Sequence, residues 1–297
     1  MNIIQVDFDP LVSAQPQGEI SGRSMGQLLI ESGKLIAEDA ERIMEVQRRE
    51  GLRFGEAAKK LGLLTEDDIQ RALARQFEYA YLRPGEGGFA PELIAAYQPF
   101  TPQVEALRAV RTQLLLRWFN TDSKRRSITV VSPRRKEGRT YVAANLAVVF
   151  SQLGERTLLI DADMRHPRQH TIMGVQNRVG LSTILSGRAD KTAIQRLPIF
   201  HDLSILTAGP VPPNPQELLE RVAFQRLMHE LMEHYDVIIM DTPAGELTAD
   251  AQTISTVTRG AFLVTRKNST KVKAARQLAG QLSDCGAEAV GAIINDF

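Results

Sequence analysis

The stretch from Ile128 to Thr140, ITVVSPRRKEGRT, constrains the fold of this chain most strongly. A short apolar run leads into a basic loop that ends in Gly138, Arg139 and Thr140, and a helical pattern follows. Glycine permits a tight turn, the amides at a helix start face an anion, and a cation followed by a hydroxyl suits phosphate and Mg²⁺. The usual cation is lysine, so this loop is a degenerate form of the pattern. Its order predicts a strand, a phosphate loop and a helix.

Two later apolar runs end in acidic residues. LLIDADMR places Asp161 and Asp163 at the end of one predicted strand, and VIIMDTP places Asp241 at the end of another. Ligands of open parallel sheets bind at the carboxyl ends of strands, so we expect these ends to converge with the loop. Carboxylates there would hold Mg²⁺ or its waters while the loop holds phosphates. A single aspartate at such a turn is also explained as a helix cap.

Apolar strand candidates alternate with helical stretches through the second two thirds of the chain. They lie at residues 127–132, 156–161, 203–207, 236–241, 260–265 and 289–294. This alternation predicts an α/β fold with a mostly parallel sheet and helices on both faces.

The three motifs together resemble the bacterial polysaccharide-biosynthesis (BY-type) tyrosine kinases, which are P-loop proteins related to the MinD and ParA ATPases. The resemblance covers residues 103–297. It implies ATP and Mg²⁺ as cofactors and a membrane chain-length determinant (Wzz-like) protein as partner. The implied catalytic residues are Arg139, Asp161, Asp163 and Asp241, and the implied metal ligands are Thr140, Asp161 and Asp241. The implied ATP contacts are Ser132, Lys136, Glu137, Gly138, Arg139, Thr140 and Tyr141.

The segment EALRAVR carries a second family feature. Glu105, Arg108 and Arg111 match the Glu-x-x-Arg-x-x-Arg pattern that such kinases use for subunit contacts, so the resemblance implies a homo-oligomer. This spacing places three ionic groups along one helix face. A solvated helix face explains such a trio equally well.

Two positions in the loop depart from the family pattern. Arg139 keeps the charge of the usual lysine, but its planar fork is longer and geometrically different at a phosphate. The EpsG-like exopolysaccharide kinases resemble this chain in having arginine there. Lys136 stands where the family has glycine, and a positive φ at this place would cost about 1 kcal/mol. Alternatively, Lys136 supplies a displaced cation.

The family's tyrosine cluster in the C-terminal tail has no counterpart here, since the sequence stops at Phe297 after the last predicted strand. We therefore expect either another acceptor, with Tyr79, Tyr81 and Tyr97 as candidates, or a nucleotide cycle that serves assembly. Tyr141, beside the loop, is expected to pack on its helix.

The N-terminal part contains an internal repeat, in which Ser24–Gln47 aligns with Arg53–Gln76. The pattern predicts paired helices joined at a glycine turn, with Thr65 as an N-cap. The repeat resembles the N-terminal domain of MshE-type secretion and pilus ATPases, which binds cyclic di-GMP. The implied ligand residues are Gly26, Gln47, Arg53, Gly55, Gly62 and Gln76. A docking module without a ligand explains the apolar matches equally well.

These patterns predict a tail at 1–20, a helical repeat domain at 21–81, a linker at 82–102 and a P-loop domain at 103–297. The chain has 36 Lys and Arg against 35 Asp and Glu, which argues against a general polyanion binder, so we expect no nucleic-acid partner. Its single cysteine and short apolar runs favour a cytoplasmic protein. The resemblance implies that it reaches the inner membrane only through its partner.

The leading hypothesis is an ATP-dependent tyrosine kinase that regulates exopolysaccharide chain length or export, and the resemblance of the repeat implies control by cyclic di-GMP. The alternative is a nucleotide-gated adaptor without phosphotransfer that couples a cyclic di-GMP signal to the assembly complex. A partitioning-type ATPase is disfavoured because Arg134 stands where those proteins carry a signature lysine.

Overall fold

The computed structural model describes residues 24–76, 82, 85–246 and 248–296. These residues fall into two compact units, one within 24–76 and one from 82 onward. The predicted tail at 1–20 lies outside the described residues.

The smaller unit contains four described helices in two pairs. They are α1 (Met25–Glu31), α2 (Ala37–Glu50), α3 (Phe54–Lys60) and α4 (Glu66–Gln76). The turns within the two pairs place Gly33 and Gly62 at φ values of 70° and 68°, a region that side chains other than glycine enter at a cost. The prediction of paired helices joined at glycine turns is therefore confirmed. A shared core holds the pairs together and contains Leu29, Leu35, Ile43, Ala57, Ala58, Leu64, Ile69 and Ala72.

Side-chain caps fix where two of these helices begin. Ser24 accepts a hydrogen bond from the Gln27 backbone at 3.3 Å at the start of α1. Thr65 accepts from the Asp68 backbone at 3.2 Å, and the Asp68 carboxylate accepts from the Thr65 backbone at 3.1 Å. This reciprocal pair is a capping box, so Thr65 is the N-cap of α4 as predicted.

The larger unit is built on a sheet that has seven strands within the described residues. They are β1 (Ser127–Val131), β2 (Thr157–Asp161), β3 (Gln195–Arg196), β4 (Leu203–Leu206), β5 (Val237–Asp241), β6 (Gly260–Arg266) and β7 (Glu288–Asn295). Their order is β3-β4-β2-β5-β1-β6-β7, and β3 is antiparallel to β4 whereas the other neighbours are parallel. The six predicted strands and the mostly parallel sheet are confirmed. The sequence missed β3 because two residues leave no periodic pattern.

Helices cover both faces of this sheet. Leu158 and Ile160 of β2 belong to one core cluster, and Leu159 between them is also fully buried on the opposite face. The described helices are α5 (Ile94–Tyr97), α6 (Pro102–Arg117), α7 (Arg139–Ser151), α8 (Gln169–Ile172), α9 (Leu181–Leu185), α10 (Pro215–Glu220), α11 (Val222–His234), α12 (Asp250–Thr258) and α13 (Val272–Asp284). In the part of the chain that the structure describes, none of the helices combines the length and the apolar character that a membrane crossing needs.

Residues 85–102, which the sequence predicts as a linker, pack inside the larger unit. The side chain of Asn145 on α7 accepts from the Ala95 backbone at 2.9 Å and donates to the Glu92 carbonyl at 3.0 Å. Leu93 is fully buried, and Phe89 packs against Phe200 with the two rings tilted and their centroids 5.5 Å apart. The interpretation as a linker is wrong for these residues, because glycine and proline here shape a tightly packed segment rather than a free one.

Candidate active site at the carboxyl edge of the sheet

The loop from Ser132 to Thr140 connects β1 to α7 and has the geometry of a phosphate loop. Gly138 has a φ of 98° and precedes the first residue of α7. Lys136 has a φ of 61°, so the position where the family has glycine does use the left-handed region. Such a conformation costs a lysine about 1 kcal/mol or somewhat more. The loop therefore keeps the backbone shape of a phosphate loop at an energetic cost.

Glu137 fixes this loop from inside. Its side chain is 1% exposed, and its carboxylate accepts from the Arg134 backbone at 2.7 Å and from the hydroxyl of Thr270. Asn295 at the end of β7 donates to the Glu137 carbonyl at 3.3 Å. The sequence proposed Glu137 as an ATP contact, and its contacts in the structure are with the protein itself. Asn295 therefore lies against the loop backbone.

The guanidinium of Arg139 is folded into the loop. Its Nε donates to the Thr242 carbonyl at 2.7 Å, and its Nη1 donates to the Arg134 carbonyl at 2.8 Å and to the Ser132 hydroxyl. The residue is 8% exposed. Phosphate binding through these two nitrogens therefore requires that they exchange protein acceptors for phosphate oxygens.

Asp161 and Asp241 lie side by side on neighbouring strands. They are paired in register between β2 and β5, and both are buried. Asp163 follows two residues after Asp161, is 9% exposed, and accepts from the His166 backbone at 2.9 Å. The three aspartates thus gather at the carboxyl edge of the sheet beside the loop, as the sequence predicts.

Burial sets the electrostatics of the two strand-end carboxyls. It raises the pKa of Asp241 to about 6, against the lowering effects of the Arg139 charge and the nearby Thr140 hydroxyl. Burial also raises the pKa of Asp161 well above its ordinary range, and the neighbouring Asp241 raises it further. The site therefore carries carboxyls whose charge is costly until a cation compensates it.

The two carboxyls differ in how their oxygens are used. Asp161 accepts from three backbone N–H groups, those of Asp163 at 3.2 Å and of Arg168 and Gln169 at 2.9 Å each. Oδ1 of Asp241 is buried and has no hydrogen-bond partner among the described residues. Asp161 thus organises the backbone of the loop that follows β2, whereas Asp241 retains an oxygen for a ligand.

Gln169 is the residue of this site that the sequence analysis missed. Its side chain is fully buried, and its Nε2 donates to Oδ2 of Asp241 at 2.9 Å and to the Thr140 carbonyl at 3.0 Å. These side-chain contacts join the phosphate loop to the end of β5, and the Gln169 backbone N–H adds a contact with Asp161 at the end of β2. A glutamine eight residues after a strand end has no recognisable sequence signal, because its partners come from distant segments.

The donor set at this edge fits Mg²⁺ bound together with a nucleotide. The described residues contain no cluster of three or more His, Cys, Asp or Glu side chains arranged to hold a metal ion. Mg²⁺ commonly uses one or two protein oxygens and takes its remaining ligands from phosphates and water. The unpaired Oδ1 of Asp241 and the hydroxyl of Thr140 are oxygens of this kind. Asp241 and Thr140 are therefore the residues of this site that fit the ion.

The predicted subunit-contact residues lie on α6. Glu105 forms an ion pair with Arg108, and Arg111 donates to the Val149 carbonyl of α7 at 2.7 Å. The three groups therefore do not form one uniform exposed stripe, since Arg111 is anchored within its own unit. Their use in an oligomer remains a prediction.

The candidate cyclic di-GMP residues of the smaller unit divide into two groups. Gly26 and Gly55 sit at close helix contacts, where an added Cβ would lie 3.5 Å from Phe54 and 3.1 Å from Ile69, and Gly62 has a positive φ. Packing and turn geometry thus explain the three glycines. The polar candidates Gln47, Arg53 and Gln76 are partly or fully exposed.

The candidate tyrosine acceptors also divide. Tyr79 and Tyr81 lie outside the described residues. Tyr97 is 5% exposed, and its hydroxyl bonds to the Phe89 and Glu86 carbonyls at 2.9 Å each, so it is unsuitable as an accessible acceptor. Tyr141 is half-buried on α7, and burial raises its pKa.

Known proteins are similar to this chain in sequence and in fold. Residues 126–284 match the family described as cellulose biosynthesis protein BcsQ. The tyrosine-protein kinase YwqD of Bacillus subtilis is 37% identical over 204 residues, which cover 68% of this chain and 85% of YwqD. The kinase domain of the Escherichia coli tyrosine kinase ETK superposes with a TM-score of 0.67 at 30% identity, covering 72% of this chain and 83% of that domain.

The wider fold family is also represented. The septum site-determining protein MinD of Pyrococcus horikoshii, complexed with Mg-ADP, superposes with a TM-score of 0.51 at 27% identity, covering 57% of this chain and 70% of MinD. The motif order, the sheet and these similarities agree. This chain belongs to the family of bacterial tyrosine-protein kinases, which are built on the MinD-like P-loop fold.

Proposed function

We propose that the chain transfers the γ-phosphoryl group of ATP to tyrosines of proteins that set the chain length or export of an exopolysaccharide. One observation carries this proposal: a phosphate loop, two buried strand-end carboxyls and a third aspartate meet at one sheet edge. Phosphoryl transfer needs mainly positioning and charge neutralisation, which such a set of groups supplies.

The residues take distinct roles in this proposal. The amides at the start of α7 and the cation of Arg139 hold the β- and γ-phosphates, and Thr140 and Asp241 hold Mg²⁺. Mg²⁺ bound there neutralises charge on the phosphates. Asp161 holds the loop after β2 in place through its backbone hydrogen bonds.

Asp163 is the proposed acceptor of the tyrosine proton. The tyrosine oxygen bonds to the γ-phosphorus, the bond from that phosphorus to the bridging oxygen of ADP breaks, and the tyrosine proton passes to the Asp163 carboxylate. Asp163 is the least buried of the three aspartates, which favours it over Asp161 and Asp241 for contact with an incoming hydroxyl.

The test is transfer of labelled phosphate from γ-labelled ATP to tyrosine, with a cytoplasmic segment of the membrane partner supplied as activator. Asp161→Ala and Asp163→Asn are expected to abolish transfer. Asp284→Asn, which changes an exposed carboxylate at the last residue of α13, is the matched control and should leave the rate unchanged. Full transfer by the Asp161→Ala variant would refute the assignment.

The engaged state of Arg139 favours a second candidate function, a nucleotide-gated adaptor without phosphotransfer. Its Nε and Nη1 are already bonded to Thr242, Ser132 and Arg134. Under this alternative, ATP changes assembly rather than modifying tyrosine. ATP binding by calorimetry together with nucleotide-dependent assembly, but with no phosphotyrosine by mass spectrometry, would select the adaptor.

The same proposal includes a cellular location, a membrane partner and an oligomeric state for the chain. We place it in the cytoplasm, recruited to the inner membrane by a Wzz-like chain-length determinant, as an EpsG-like kinase that forms homo-oligomers through Glu105, Arg108 and Arg111. Sedimentation with and without the partner's cytoplasmic segment tests this. A monomer under both conditions would contradict the oligomer.

The smaller unit is proposed as an MshE-type receptor for cyclic di-GMP. Gln47, Arg53 and Gln76 present amide and guanidinium groups that suit guanine and phosphate. Calorimetry of the full chain with cyclic di-GMP should show binding that Arg53→Ala removes. Arg42→Ala, an exposed arginine of α2, should leave binding intact. Absence of heat with the wild type would leave this unit as a docking module.

A further inference from the structure

Gln169 makes hydrogen bonds to three residues that belong to three separate sequence motifs. Its backbone N–H donates to Asp161 at 2.9 Å, and its side-chain amide donates to Asp241 at 2.9 Å and to the Thr140 carbonyl at 3.0 Å. Both side-chain partners are acceptors, so they fix which end of the amide is nitrogen. The orientation of this amide is therefore set by the phosphate loop and by β5 together.

Two buried oxygens at this site, one of the amide itself and one of the neighbouring carboxylate, have no hydrogen-bond partner among the described residues. They are Oε1 of Gln169 and Oδ1 of Asp241. An unsatisfied buried acceptor destabilises the fold, so a pair of them at one site calls for a donor or a cation. Because Nε2 of Gln169 donates a hydrogen bond to Oδ2 of Asp241, Oδ1 is the oxygen of this carboxylate that stays unpaired.

We propose that Gln169 is a positioning residue for magnesium. Its amide fixes the Asp241 carboxylate, so that Oδ1 stays available to Mg²⁺ or to a water of its shell, and ties that carboxylate to the turn that carries Thr140. The inference rests on the proposed nucleotide function and deepens it. Partners that orient metal-binding side chains typically change metal affinity or activity about 10- to 100-fold when they are lost.

The substitution Gln169→Met tests this role, because methionine has similar volume and no amide donors. It leaves the backbone N–H to Asp161 in place, so the loop after β2 keeps its anchor. Calorimetry with ADP, in the presence of Mg²⁺ or of EDTA, separates binding of the ion from binding of the nucleotide. The quantity compared is the factor by which Mg²⁺ strengthens ADP binding. We expect this factor to be at least about 10-fold smaller in Gln169→Met than in the wild type, and the affinity for ADP without metal to change less than about twofold.

Gln152→Met is the matched control. Gln152 also lies next to α7, donates one hydrogen bond to the Ala95 carbonyl and has an unpaired buried Oε1, but it follows the opposite end of that helix. Its replacement should leave the magnesium effect unchanged. Equal magnesium effects in Gln169→Met and the wild type would overturn the proposal. So would a loss of ADP affinity in Gln169→Met that is equally large with and without Mg²⁺.

A double-mutant cycle distinguishes positioning from general damage. In an Asp241→Asn background, Gln169→Met should change the magnesium effect less than about twofold, because the carboxylate on which it acts is gone. An undiminished effect there would contradict the mechanism. If Gln169→Met does not fold, Gln169→Asn keeps an amide one methylene too short to reach Asp241 and should show the same loss.

The outcomes separate this inference from the proposed function. Wild-type protein that fails to bind ADP with saturating Mg²⁺ contradicts the proposed function, and the role of Gln169 falls with it. Wild-type binding that Mg²⁺ strengthens, with no change in the Gln169 variants, overturns only the role of Gln169.

Discussion

Asp241→Asn should make the nucleotide-free protein more stable at neutral pH. Burial raises the pKa of Asp241 from 3.8 to about 6, so the folded state binds more protons than the unfolded state between these values. The free energy of unfolding of the wild type therefore falls as pH rises through this window, and the full penalty is present above about pH 6. Each pKa unit is worth about 1.4 kcal/mol, which gives about 3 kcal/mol as the largest gain.

The expected gain is somewhat smaller than this limit. Asparagine can still accept the hydrogen bond from Gln169, but it loses the attraction of the Arg139 charge. The charge of Asp241 also raises the pKa of Asp161. Its removal therefore makes the ionised form of Asp161 less costly. We expect Asp241→Asn to raise the free energy of unfolding by about 1 to 3 kcal/mol at pH 7.5, and by much less at pH 4.5.

Urea unfolding in EDTA, followed by tryptophan fluorescence, measures this difference. Trp118 is the single tryptophan of the chain and is 2% exposed in the larger unit, so it reports on the unit that contains Asp241. Asp284→Asn is the control and should show no such dependence on pH. A variant less stable than the wild type at pH 7.5, or a gain of equal size at both pH values, would refute the reasoning.

Three further substitutions test other parts of the larger unit by the same measurement. Lys136→Gly should raise the free energy of unfolding by up to about 1 kcal/mol, because it removes a side chain at a φ of 61°. Gly260→Ala should lower it by about 1 to 3 kcal/mol, because the added Cβ would lie 2.5 Å from the ring of Trp118. Asp236→Asn should lower it by about 1 kcal/mol at pH 7, because Arg156 hydrogen-bonds both carboxylate oxygens, at 2.7 and 2.8 Å, and lowers the pKa of Asp236.

Each of these has its own contradicting result. Arg135→Gly, beside Lys136 but without a positive φ, should destabilise, so equal gains for both glycine variants would argue against strain. Unchanged stability of Gly260→Ala would mean that the Trp118 ring moves at no cost. The Asp236 contribution is present above pH 3.8 and is lost as pH falls through the lowered pKa, so a pH-independent effect of Asp236→Asn would contradict the ion pair.

The sequence alone determined the features that depend on neighbours along the chain. Six strands, the paired helices of the repeat and the N-cap at Thr65 all follow from apolar periodicity, glycine turns and local hydrogen bonding. The gathering of the three aspartates also followed, because the carboxyl ends of parallel strands meet at one edge. Each of these predictions needs only a short window of residues or a general rule of sheet topology.

Only the tertiary structure decided how the site residues are used. The guanidinium of Arg139 finds its acceptor on Thr242, 103 residues away, and the amide of Gln169 reaches Asp241 across 72 residues. Residues 85–102 have the composition of a linker, yet they pack because Asn145 offers both a donor and an acceptor to their backbone. Such contacts depend on which distant groups the fold brings within hydrogen-bond distance, and a local pattern does not encode that.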